Sequence, residues 1–98
     1  MRIPKFFTLF GQPIQVKIDN EYCQRINAYG DSSPREDNII LCNKSDGKKR
    51  SETQMRHTFY HEKVHLILFK MNENELAKNE KFVDVFSALL LESELTKK

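Results

Sequence analysis

Residues 51–71, SETQMRHTFYHEKVHLILFKM, contain no glycine or proline, and this unbroken stretch constrains the fold more than any other part of the chain. Ser51 followed by Gln54 has the form of a capping box, in which each side chain satisfies a backbone donor at the start of a helix. From there Met55, Phe59, Val64, Leu66, Leu68 and Phe69 predict a helix with a broad apolar surface. The polar NENELAKN at 72–79 predicts a loop or an irregular turn. A second helix is predicted over 79–95, where Phe82, Val85, Phe86, Leu89 and Leu90 repeat at three and four.

The front half has a different period. Residues 6–19 read as two extended segments around Gly11, Gln12 and Pro13. In the second, Ile14, Val16 and Ile18 alternate with Gln15, Lys17 and Asp19, the pattern of a half-buried strand. YGDSSPREDN at 29–38 is dense in turn formers, and IILC at 39–42 follows as a short strand. Pairing that strand with residues 14–18 gives a small antiparallel or mixed sheet. The predicted class is α+β: an N-terminal sheet followed by two packed helices. A chain of 98 residues suits one domain, residues 1–98, and is too short for two cores. KSDGKKR at 44–50 reads as a charged, solvated loop.

Composition narrows the function. Hydrophobic residues at 39% and charged residues at 31% describe a globular chain rather than a disordered one. A formal charge of +2 sets up no strong field, so neither nucleic acid nor an anionic membrane is an expected partner. The apolar run near the start is cut by Gly11 and Pro13 after about five residues, short of the roughly 7–15 a secretory signal needs. No stretch approaches the ~20 apolar residues of a membrane span. Cys23 and Cys42 fit no CxxC arrangement and read as reduced thiols in a cytoplasmic protein. The sequon at Asn43 is then without consequence.

HEKVH at 61–65 carries the chemistry. Residues four apart share a helix face, so His61 and His65 project side by side, and both can reach one zinc ion at about 2.0–2.1 Å. Glu62 lies about 100° around the helix, where it can hold a water beside the metal and accept its proton. Two imidazoles and a carboxylate among Phe59, Val64, Leu66 and Leu68 cost several kcal/mol unless something compensates, and a metal would. Catalytic zinc sites use three protein ligands. Glu80 on the second helix is one candidate, because an antiparallel return can bring it back to the metal. Asp84, one turn further on, could then accept a hydrogen bond from the free nitrogen of a ligand histidine. His57 competes for the third place, but it lies about 12 Å along the axis from His65, too far for all three histidines to bind one ion. It reads better as a polar residue at the rim of the site.

HEKVH followed by NEKFVD resembles the gluzincin pattern of thermolysin-type metallopeptidases, HExxH then NExxxD. A tighter likeness is to the small metallopeptidase-like proteins of phages and prophages, minimal gluzincins related to the ImmA/IrrE group. LFGQPIQV, YGDSSPREDNIILC, TFYHEKVH and EKFVDVF correspond in turn to that group's segments, covering about Leu9 to Leu91. The resemblance implies zinc bound by His61, His65 and Glu80, with Glu62 as general base and Asp84 orienting a ligand histidine. It implies a protein or peptide substrate and a bacterial cytoplasm. No Tyr or His follows Glu80 in this sequence, so any group stabilising the oxyanion must be Tyr22, Tyr29, Tyr60 or His57. The alternative expectation, from a different class, is a zinc-stabilised protein-binding module of phage origin that is weakly active or inactive.

Overall fold

The chain first reverses at Phe10 and Gly11, whose φ values are 51° and 77°. Two positive φ angles make a two-residue hairpin loop whose twist matches the flanking strands. It joins β1 (Phe6–Leu9) to β2 (Gln12–Ile18), antiparallel, with Leu9 opposite Gln12. The turn thus sits one residue earlier than the sequence pattern suggests, and Gln12 and Pro13 belong to the strand. Ile14 is fully buried, Val16 half-buried and Ile18 exposed, so the alternation decays toward the end of β2.

The computed structural model describes residues 2–96, and its architecture is α+β, a mixed four-stranded sheet followed by packed helices. After β2 comes α1 (Asn20–Ile26), capped by the Asp19 side chain accepting from the Tyr22 amide and ended by Asn27 in the left-handed region. β3 (Gly30–Ser33) and β4 (Asn38–Leu41) follow, giving the order β1-β2-β4-β3. β4 runs parallel to β2 and antiparallel to β3. A parallel pair needs a long crossover, and residues 19–37 supply it. Residues 30–33, rich in turn formers, are therefore a strand, held there by pairing with β4 rather than by propensity. The segment at 44–50 is also more ordered than a loop. β5 (Lys44–Ser45) and β6 (Lys48–Lys49) form a hairpin around Asp46 and Gly47, a turn pair suited to positive φ.

α2 (Glu52–Lys70) begins with the capping box intact: Gln54 N donates to Ser51 Oγ at 3.1 Å and Ser51 N to Gln54 Oε1 at 2.9 Å. Its buried face, Phe59, Tyr60, Val64, Leu66 and Leu68, covers Ile14, Ile39 and Leu41 of the sheet and reaches α4 (Glu80–Leu95). The polar 72–79 segment contains one short helix, α3 (Asn74–Ala77), which buries Ala77. Asn79 caps α4 by accepting from the Phe82 amide. On α4 burial does not follow hydrophobicity. Its buried residues are Val83, Ser87 and Leu91, whereas Val85, Phe86 and Leu89 face outward. Glu80 and Asp84 share the side turned to α2, so the opposite stripe must point away from it.

Candidate metal centre

His61 and His65 stand on the flank of α2 that faces α4. His61 lies by Asp84 and His65 by Glu80, so the two helices run antiparallel. His61 Nε2 is 3.2 Å from Glu80 Oε2, His65 Nε2 is 3.2 Å from Glu80 Oε1, and the two Nε2 atoms are 3.1 Å apart. Ligand atoms held tetrahedrally at zinc distances are separated by about 3.3 Å. Among the described residues His61, His65 and Glu80 form the one His/Cys/Asp/Glu group whose atoms close to within 4.8 Å of one another.

Proton bookkeeping makes the cluster more pointed. His61 Nδ1–H donates to Asp84 Oδ1 at 2.8 Å, and His65 Nδ1–H donates to the Ala77 carbonyl. Both partners only accept here, so each Nδ1 keeps its proton, an assignment made from the hydrogen-bond partners. In the neutral rings both Nε2 atoms are then lone pairs, aimed at each other and at the two oxygens of Glu80. Four acceptors converge with no donor among them. A cation resolves this, and a divalent metal does so without charging two adjacent imidazoles. The residues fit zinc.

Each element contributes for a local reason. Spacing of four on α2 pairs the histidines. Asn79 starts α4 so that Glu80 is its first residue and Asp84 follows one turn later. Ala77 ends α3, where a last-turn carbonyl lacks a helical partner and is open to His65.

Glu62 borders a cleft of about 430 Å³ together with Tyr29, His57, Thr58, His61, Asp84 and Ser87. Burial pushes its carboxyl up to about 7. His65 and a hydrogen bond from Ser32 act against that, while Asp31 and Glu80 reinforce it. His57 is exposed at this rim and stands outside the His–His–Glu group.

The tyrosines separate by environment. Tyr22 donates to Asp31 at 2.7 Å, and Tyr60 is buried in the core with its hydroxyl pKa raised by that burial. Tyr29 alone among them reaches the cleft, with the Arg50 guanidinium 4.7 Å from its ring centre. Arg50 itself is buried rather than solvated. It donates to the carbonyls of Cys42 and Gln54 and, at 2.6 Å, to Thr58 Oγ1.

Cys23 and Cys42 are both buried and not joined in a disulfide, and neither belongs to the cluster. Burial, then the neighbouring Cys42, pushes the Cys23 thiol up to about 11. No described helix is long and apolar enough to cross a membrane. Sequence reasoning named Tyr29 among four candidates but did not reach Ser32 or the Ala77 carbonyl. Ser32 comes from a turn-rich segment, and a backbone acceptor leaves no mark in the sequence.

No family model, curated protein or solved structure matches this chain.

Proposed function

We propose that this protein is a zinc-dependent metallopeptidase of the minimal gluzincin type. The observation that carries the reading is the convergence of two imidazole lone pairs and one carboxylate at 3.1–3.2 Å, beside a half-buried glutamate in an open cleft. His61, His65 and Glu80 would hold the ion, and Asp84 would orient His61 through Nδ1. A zinc ion bound there supplies Lewis acidity to a peptide carbonyl and lowers the pKa of water to about 7.

The protein's own groups do the rest. Glu62 takes the proton of the attacking water as its oxygen bonds to the carbonyl carbon. It then returns that proton to the amine as the C–N bond breaks. Tyr29 and His57, at the cleft, are the groups available to donate to the developing oxyanion. β3 is an edge strand that carries Ser32 next to Glu62, so an extended peptide can add to it through main-chain hydrogen bonds. Two reduced cysteines support a cytoplasmic setting, as in a bacterial host if the chain is phage-encoded.

One observation favours a second reading. The cluster spans α2 and α4, so a metal there would stabilise the fold whether or not it catalyses anything. Glu62→Gln separates the two. Zinc content and melting temperature should stay near those of the parent, while hydrolysis of an unfolded protein substrate falls by about 10²–10⁴. Undiminished hydrolysis in that variant would remove Glu62 from the mechanism. A zinc-replete parent with no hydrolysis of any peptide would leave the binding module.

A further inference from the structure

α4 carries an apolar surface that the metal site does not use. Val85, Phe86 and Leu89 are 53%, 44% and 61% exposed, and half-buried Phe82 completes the stripe. At 100° per residue, positions 82, 85, 86 and 89 fall within about 100° of arc, one continuous face. The same phenylalanines border a second apolar concavity with Ile67, Met71 and Leu76, of which Met71 is 56% exposed. Contiguous apolar surface of this kind marks an interaction site more often than a solvated face.

We propose that this stripe is the interface of a homodimer in which α4 packs antiparallel against α4 of a second copy. The charges beside it choose the occupant. Lys81 and Glu92 are both exposed and lie on the same edge of the stripe, about 20° apart around the helix and about 16 Å apart along it. Their midpoint falls between Phe86 and Ser87, the centre of the apolar run. A two-fold axis there, perpendicular to both helices, keeps like edges facing each other. Lys81 then meets Glu92 of the second copy, and Glu92 meets its Lys81. Phe86 sits beside the axis. A parallel pairing would instead put the two Lys81, and the two Glu92, on opposite edges of the contact, with no Lys81–Glu92 pair across it. Only the antiparallel orientation joins the two charges.

The arrangement leaves the cleft open, because Glu80 and Asp84 are on the other side of α4. It is independent of whether the site is catalytic. A contact of essentially two helices lies at the low end of specific interfaces, below about 1,200 Å² in total, so a micromolar dimer is expected.

Sedimentation equilibrium of the full chain from about 1 µM to 1 mM brackets that range. The parent should pass from monomer to dimer. Leu89→Lys keeps a good helix former on an exposed position and should remain monomeric with unchanged circular dichroism. Lys81→Glu creates two like-charge contacts per dimer and should weaken association about tenfold. Lys81→Glu combined with Glu92→Lys should restore it. A parent that stays monomeric throughout overturns the proposal, as does a dimer indifferent to Leu89→Lys. Failure of the double exchange to rescue Lys81→Glu overturns the antiparallel pairing.

Discussion

Glu80→Ala against His57→Ala is the sharpest test of the metal centre, because the two residues make the protein different objects. Glu80 reaches both histidines at 3.2 Å and is the first residue of α4, so a metal there joins α2 to α4. His57 stands at the rim with α4 left free of the ion. Zinc present at about 1,000 times its dissociation constant stabilises the folded form by about 4 kcal/mol. For a chain of this size each kcal/mol is worth roughly 4–8 °C, so adding zinc should raise the melting temperature of the metal-stripped parent by roughly 16–32 °C. Structural zinc sites gain about 10–16 kcal/mol over four ligands, which puts the loss of one ligand near a 10²–10³-fold drop in affinity. At the same zinc concentration Glu80→Ala then keeps only about 0.4–1.4 kcal/mol, or roughly 2–11 °C. His57→Ala should keep the full parental shift. Differential scanning calorimetry with and without zinc, beside elemental analysis of the purified variants, reads both numbers. A full shift in Glu80→Ala together with a lost shift in His57→Ala would refute the tie between the helices and the ligand set built on it.

Other outcomes follow from the same geometry. Asp84→Ala leaves the ligand atoms in place but frees His61 Nδ1, so zinc affinity measured by chelator competition should fall about 10–100-fold, and unchanged affinity would make Asp84 a solvating residue only. In metal-stripped protein Glu62 is held at about 7 against its ordinary 4.5, which penalises the charged form in the folded state. That contribution is fully present below pH 4.5 and is lost as pH rises toward 7, up to about 3 kcal/mol, so urea midpoints should fall over this window in the parent and stay flatter in Glu62→Gln. A methyl group on Gly30 would meet Thr58 Cγ2 at 2.6 Å and the Ile40 carbonyl at 3.1 Å. Thr58 is β-branched and hydrogen-bonded to Arg50, so Gly30→Ala should cost about 1–3 kcal/mol, and an unaltered melting temperature would show that β3 can shift away from α2.

What a chain can disclose on its own is local, and much of this one is local. The capping box at Ser51, the unbroken 51–71 stretch and the cap at Asn79 define both long helices, because backbone donors at helix starts must be met by residues a few positions away. Spacing of four puts His61 beside His65 and Glu80 beside Asp84 whatever the packing. Other local signals were present but weaker. Asp19 and Asn27 bracket α1, and Asp46-Gly47 marks the β5–β6 turn, yet both elements are too short to show a hydrophobic period.

Tertiary structure decided the rest. Residues 30–33 became a strand only because β4 offers them partners, and Arg50 is buried only because five acceptors surround it. The face that α4 turns inward was decided the same way. By hydrophobicity alone Phe82, Val85, Phe86 and Leu89 should be inside. The helix instead presents Glu80 and Asp84 to the histidines of α2, and its most apolar stripe is left at the surface. Periodicity tells how many faces a helix has. Which of them meets the neighbour depends on what that neighbour carries.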